Sequence, residues 1–256
     1  MEPGRTNLFV LFPVFNEAEN LETLFEGFRR LIQEFSPSYD VHLLMVDDGS
    51  GDGTPDLAQS LAAGLDITVL RHPANKGPGA AFATGFAYLA DRLHADDWVV
   101  TMEGDNTSRH ELIRQMLVRT GEGYDVVLAS PYMYGGGFSE TSLLRKLLSS
   151  GANLVVKDLL GIQGILTVSS FFRLYRGKIL LQLQGRYGKG IVERAGFESM
   201  VELLMKLVIV NAPISEVAMR LDSSRRKGKS KMKIMKTILG YFALWRGKKR
   251  WMAGVA

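Results

Sequence analysis

The 256-residue chain contains no cysteine. That excludes disulfides and thiolate zinc sites, and it fits a reducing, cytoplasmic setting. Histidine is scarce. His42, His72, His94 and His110 are scattered with no pair at metal-ligand spacing, so each reads as a surface or packing residue. No apolar run reaches the roughly 18 residues of a membrane span. The N-terminus, MEPGRTNLFVLFPVFNEAE, turns acidic before any long apolar stretch and does not read as a signal peptide. Any membrane contact is therefore expected at the surface. Internal repeats are missing, and the longest low-complexity run is the glycine triplet 135–137.

What is present is ordinary globular composition, 46% apolar and 23% charged, enough to bury one sizeable core. The net charge of +4 hides an asymmetry. Residues 220–256 hold 12 of the 31 Lys and Arg with Asp222 as their lone acid, while residues 1–219 hold the other 26 Asp and Glu. A mildly acidic body, 1–219, thus precedes a basic segment, 220–256, that suits an anionic partner such as lipid or nucleic acid.

Short apolar runs alternate with helical patterns over the first hundred residues. Residues 8–13 (LFVLFP) read as a buried strand, and 16–35 then place Leu21, Leu24, Phe25, Phe28, Leu31 and Ile32 at a helical period. The run 41–46 (VHLLMV) is a second strand, stopped by DDGSGDGT. A helix over 54–63, a strand over 67–70, a helix rich in small residues over 79–93 and a strand over 97–102 follow. This alternation predicts an α/β fold with a mostly parallel central sheet flanked by helices, whose ligands sit beyond the carboxyl ends of the strands. Further on, the pattern predicts a strand over 124–129, helices over 141–160 and 197–210, and an edge strand over 214–220.

Three strand-end loops, 13–17, 47–54 and 103–108, should therefore converge. Glu103 and Asp105 in TMEGDNTS stand two apart where a strand runs out. Alone, such a pair either holds a hard divalent cation or is two solvated charges in a turn. Residues 75–79 (NKGPG) open a helix whose N-terminal dipole and free amides favour an anion. Together the loops suit a nucleotide with a metal-bound diphosphate, although neither a Walker loop nor a G-x-G-x-x-G fingerprint is present. Asp48, Ser50 and Asp52 also read as turn formers and a cap before Thr54.

FPVFNEAENL, VDDGSGDGT, NKGPGAAFATG and EGD, in this order, resemble the family 2 glycosyltransferases of the GT-A (Rossmann-like) fold. YMYGGG, LLRKLLSSGANL, SSFFRLYR, GFESMVELL, APISEV and RRKGKSKM narrow the likeness to the dolichyl-phosphate mannosyltransferase group, which loads a sugar onto a polyprenyl phosphate. The resemblance implies that Pro13, Phe15 and Glu17 border the nucleoside, with Glu17 on the ribose. It implies that Asp47 and Asp48 approach the base and ribose, and that Lys76 lies near the diphosphate or sugar. Glu103 and Asp105 match the metal-binding D-x-D, with Thr107 as a further polar ligand for Mg2+ or Mn2+. Arg145 and Ser149, one helical turn apart, match residues that receive the acceptor phosphate. Arg173, Glu198 and Glu202 match regions around the sugar, and Arg225, Gly228, Ser230 and Lys231 match a segment that folds over the site. Departures from the pattern at Glu103, Pro131, Thr167 and Phe171 leave the donor sugar open.

The expected activity is inverting transfer of a hexose from a nucleotide diphosphate sugar, GDP-mannose or a UDP-sugar, to a polyprenyl phosphate. The alternatives are a family 2 transferase with a soluble or saccharide acceptor, and a non-catalytic nucleotide-sugar-binding homologue. Residues 231–251 interleave lysines with apolar and aromatic residues, Trp245 and Trp251 among them, which suits an anionic membrane surface. The chain is thus expected on the cytoplasmic face of a membrane, as a homo-oligomer or beside a membrane protein. No nucleic-acid partner is expected, because no recognised binding module accompanies the basic charge.

Overall fold

The computed structural model describes residues 5–139, 153, 157, 158, 160–228 and 234–253. Its first half follows the predicted alternation: β1 (Thr6–Val14), α1 (Ala18–Phe35), β2 (Tyr39–Asp47), α2 (Thr54–Leu61), β3 (Ile67–Arg71), α3 (Pro78–Leu89) and β4 (Trp98–Thr101). Then come α4 (Leu112–Thr120), β5 (Val126–Ser130), β6 (Gly137–Ser139), β7 (Arg173–Arg176), α5 (Gly177–Tyr187) and α6 (Ser199–Ile209). The described chain ends with β8 (Ile214–Ala218), β9 (Arg220–Asp222), a short 3-10 turn (Ser223–Arg225) and α7 (Ile234–Ala253). Of these, α4, β6, β7, α5 and β9 as a strand of its own were not anticipated. Most of the helix predicted over 141–160 lies outside the described residues.

Seven strands form one sheet in the order β3-β2-β1-β4-β7-β5-β8, and β6 pairs with β9 apart from it. The large sheet is parallel except for β7, which runs antiparallel to both β4 and β5. β8 is an edge strand, as predicted. The near-continuous apolar runs have a direct cause: the sheet is covered on both faces. Alternate residues of β1 feed opposite cores. Phe9 and Leu11 meet α3, α5 and α6, whereas Leu8, Val10, Phe12 and Val14 meet α1 and α4. Strand order reverses between β1 and β4, the switch point at which open α/β sheets hold ligands.

The basic C-terminal segment requires one correction. Trp251, expected among the lipid-facing aromatics, is fully buried, as is Leu244, and both join the core of the α3–α5–α6 face. The Tyr187 hydroxyl donates to the Trp251 carbonyl at 3.1 Å, Arg186 to that of Met252 at 2.9 Å, and Lys248 to that of Leu160 at 2.8 Å. A helix with this many body contacts buries one stripe and leaves another to solvent. That outer stripe carries Trp245 (54% exposed) and Met252 (57%), with Arg246 and Lys249 also exposed.

Candidate active site

The loops after β1 and β2 are wired together by side chains bonding to backbone. Asn16 and Glu17 donate their amides to Ser50 Oγ (2.8 Å) and Thr54 Oγ1 (2.9 Å), and Ala18 donates to Asp52 Oδ2 (3.1 Å). In return Gly51 donates its amide to Asn16 Oδ1 at 2.8 Å. Asn16 sits at φ 51°, a left-handed conformation that asparagine tolerates better than most residues. The small polar residues of DDGSGDGT are therefore structural ties. Hydrogen bonds from Thr54 and Ala18 outweigh the burial of Asp52 and hold its carboxyl below the usual range. Asp47 is fully buried, accepts from the Ser50 amide at 3.2 Å and lies 3.4 Å from Arg71 Nε. Next to this pair is a cavity of about 340 Å³ lined by Gly49, Ser50, Arg71, His72 and Pro73.

Asp48 has a different part. Its Oδ1 meets His72 Nδ1 at 2.7 Å and the Lys76 amide at 2.9 Å, and its Oδ2 meets the Gly77 amide at 2.7 Å. The Gly79 amide donates to the Ala195 carbonyl at 2.8 Å. These bonds correct one expectation: the amides of Lys76, Gly77 and Gly79 are not open to an anion, because Asp48 and the 193–196 loop hold them, and Pro78 has none. The Lys76 side chain is exposed.

Beyond β4 the chain turns back under the end of β1. Gly104 is required there, since a Cβ would lie 2.6 Å from Val14 Cγ1 and 2.8 Å from the Pro13 carbonyl oxygen. The turn brings Glu103 and Asp105 together. Burial, and then the charge of Asp105, push the Glu103 carboxyl above its usual range, while the Ser108 hydroxyl bonded to it and the charge of Arg226 pull it down. Asp105 Oδ1 accepts from the Thr107 amide (3.1 Å) and hydroxyl (2.6 Å), and Oδ2 accepts from Arg226 Nε at 2.5 Å with Arg226 Nη2 beside it. Asn106, left-handed at φ 64°, donates Nδ2 to the Asn20 carbonyl at 2.9 Å. The Asn20 side chain in turn grips Lys227 twice, accepting from its amide at 2.9 Å and donating to its carbonyl at 3.1 Å.

The opposite wall is held by buried charge. Lys206, wholly buried, donates to Glu202 Oε1 (2.5 Å) and to the Gly190 (2.5 Å) and Ile191 (3.3 Å) carbonyls, and sits about 5 Å over the Trp251 and Tyr187 rings. Glu202 also accepts from the amides of Glu193 and Arg194 at 3.0 and 2.8 Å. Burial outweighs these partners and pushes its carboxyl up. Glu198, half-buried, lies against α7: a Cβ on Gly240 would come within 2.7 Å of its Cδ. Tyr241 next to it has its phenol pushed up to about 12 by burial and then by the charges of Glu198 and Tyr132.

The predicted residues thus fall into groups. Pro13, Phe15, Glu17, Asp47, Glu103, Asp105 and Thr107 gather at the carboxyl ends of β1, β2 and β4. Asp48 and Glu202 lie close by, with their carboxylates engaged inside the protein. Arg173 is fully buried in β7, donating to the Ser170 and Val168 carbonyls at 2.7 and 2.8 Å, and its Nη1 has no hydrogen-bond partner. Arg225 lies near Glu111, His110 and Asp222. Arg145, Ser149, Ser230 and Lys231 lie outside the described residues. Sequence reasoning missed Asn20 and Arg226. An asparagine on the apolar face of α1 was a usable signal for the first, whereas the run Arg225-Arg226-Lys227 held nothing to single out the second.

A doubly wound α/β sheet with a polar cleft at its switch point, and paired carboxylates in the loop beyond β4, defines the class: an open α/β protein whose candidate site lies where such sheets hold ligands. The family model "Glycosyl transferase family 2" matches residues 9–183. Polyprenol monophosphomannose synthase of Mycolicibacterium smegmatis is 30% identical over 226 residues, 86% of this chain and 80% of that protein. Dolichol-phosphate mannosyltransferase of Pyrococcus furiosus is 30% identical over 238 residues, 91% of this chain but 60% of that longer protein. Among solved structures, mannosyl-3-phosphoglycerate synthase from Rubrobacter xylanophilus superposes with a TM-score of 0.64 at 14% identity, covering 96% of this chain and 76% of that one. Glucosyl-3-phosphoglycerate synthase from Mycobacterium tuberculosis, in complex with Mn2+, UDP and phosphoglyceric acid, gives 0.61 at 16%, covering 98% and 83%. These two share the fold. The chain belongs to glycosyl transferase family 2.

Proposed function

We propose that this chain transfers a hexose from a nucleotide diphosphate sugar to a polyprenyl phosphate with inversion at the anomeric carbon. The observation that carries the reading is that Asp47 ends β2 and the Glu103–Asp105 pair follows β4, on either side of β1 at the switch point of the sheet, in a chain 30% identical to a polyprenol monophosphomannose synthase. The Asp47–Arg71 pair beside its cavity suits the nucleobase, with Pro13, Phe15 and Glu17 toward the ribose and Lys76 toward the diphosphate. Among the described residues no group of three His, Asp or Glu is placed to hold a metal ion by itself. Two hard carboxylates crowded together, with a guanidinium already drawn to one of them, nevertheless fit Mg2+ or Mn2+, with waters and, once a donor is bound, diphosphate oxygens completing the shell. Asp105 and Glu103 would hold that cation, which supplies positive charge to the departing diphosphate.

In the reaction an acceptor phosphate oxygen attacks the anomeric carbon while the bond to the diphosphate oxygen breaks, its electron pair leaving with the nucleotide. The acceptor is already ionised near neutral pH, so no strong base is needed. Arg145 and Ser149 are proposed to receive it. Arg173, buried as it is, would act by holding the 168–172 backbone. A soluble acceptor would need a carboxylate base. Of the two candidates Glu202 is tied to Lys206, which leaves Glu198 beside Tyr241.

No helix among the described residues is long and apolar enough to cross a membrane. Trp245, Lys249 and Met252 share the outer stripe of α7, a face suited to an anionic headgroup layer. One experiment tests both parts. Anionic vesicles containing polyprenyl phosphate are incubated with protein and labelled GDP-mannose or UDP-glucose, then floated. Protein and label are expected in the lipid layer, and Asp105→Ala is expected to lower transfer at least about 100-fold while floating as before. Near wild-type transfer by Asp105→Ala, or label only in water-soluble product, would overturn the assignment. Failure to float at low salt would remove the membrane surface from it.

A further inference from the structure

We propose that Arg226 is a latch on the cation site: its guanidinium and a divalent cation compete for the Asp105 carboxylate, and loading the cation releases the charged end of the strap of residues 222–228. The inference rests on Asp105 being a cation ligand.

Three observations carry it. The Arg226–Asp105 pair is no loose surface contact, since the two side chains are only 21% and 11% exposed and two guanidinium nitrogens face Oδ2. The other oxygen is taken by the Thr107 amide and hydroxyl. A cation at Asp105 would therefore share Oδ2 with the guanidinium, setting like charges about 4–5 Å apart in a site too enclosed for water to screen them well. Finally, the strap has a second, uncharged attachment. Asn20, 1% exposed and fixed by its 2.5 Å bond to Glu17 Oε2, holds the Lys227 backbone in both directions. A strap held at one point by charge and at the next by neutral amide bonds can release its charged end without leaving the cleft. The guanidinium also gives the Glu103–Asp105 pair the positive partner that two adjacent carboxylates require, so the pair is tolerated before a donor arrives.

The test uses the full chain and Mn2+ alone, with free ion counted by electron paramagnetic resonance. Arg226→Gln is expected to bind Mn2+ about tenfold more tightly than wild type. Lys227→Gln, which removes the same charge one residue away and leaves the backbone groups held by Asn20, is expected to bind as wild type does. In wild type, Mn2+ is expected to speed trypsin cleavage after Arg225, Arg226 or Lys227, mapped by mass spectrometry. The latch stands only if both effects appear. Equal or weaker binding by Arg226→Gln, the same gain in Lys227→Gln, or cleavage that Mn2+ leaves unchanged or slows would each overturn it. Absence of Mn2+ binding in every chain would remove the cation site itself, whereas normal binding without the Arg226 effect would remove only the latch. Should Arg226→Gln fail to fold by circular dichroism, the wild-type trypsin rate decides alone.

Discussion

On the β1–β2 side of the cleft, position is set by many short bonds: Ser50, Asp52 and Thr54 each take or give between one and three, mostly with backbone amides. On the α6–α7 side, one ammonium group, Lys206 Nζ, joins Glu202, the Gly190 and Ile191 carbonyls and the face of Trp251. Both sides keep a loop still. The first does so redundantly, so that one lost bond leaves its neighbours in place. The second depends on a single buried charge, whose removal strands another. Equal precision of position can thus come with very different tolerance to change.

Three substitutions put that contrast at risk. The largest loss is expected for Lys206→Met, which leaves the Glu202 carboxylate buried without its counter-charge and costs about 3–5 kcal/mol of folding stability in urea titrations. The pH dependence gives a second reading of the same variant. A carboxyl whose pKa is raised in the folded state binds its proton more tightly there, so lowering pH favours folding and the deficit should shrink toward acid. Adding Glu202→Gln should recover part of the loss at neutral pH. Asp48→Ala comes next, at about 2–3 kcal/mol, since His72 and the amides of Lys76 and Gly77 lose a charged acceptor. Faster hydrogen exchange at Lys76 and Gly77 would accompany it. Thr54→Val should cost least, about 1 kcal/mol, because the Asn16, Gly51 and Ala18 links remain around the orphaned Glu17 amide. A Thr54 loss as large as that of Lys206 would erase the distinction between the two walls.

The same contrast explains what could be read from the sequence. The elements from β1 to β4 carry strong local periodicity, and their end loops carry turn chemistry, so strands, helices and the convergence of three loops were legible. β7 was not. RLYR begins and ends in arginine and spans four residues, and only its long-range pairing between β4 and β5 makes it a central strand. α4 buries little more than Ile113 and Met116 and left too weak a stripe to read. The acidic pair beyond β4 was found by its position. The engagement of Asp48 and Glu202 within the protein could not be found that way, because their partners are backbone amides, a histidine and a lysine whose placement exists only once the chain is folded. The fate of Trp251 shows the matching limit for surfaces: lysines interleaved with aromatics describe a helix with two faces and do not say which face turns inward.

Asn20 recognises Lys227 through the peptide group alone, which makes the grip blind to side-chain identity and sensitive to spacing. The side chain at 227 is therefore free to vary, provided its spacing from Arg226 is kept. One residue inserted between Arg226 and Lys227 would slide the guanidinium off its carboxylate while the amide pair stayed closed. In that sense Asn20 acts as a ruler, measuring where along the chain the positive charge falls.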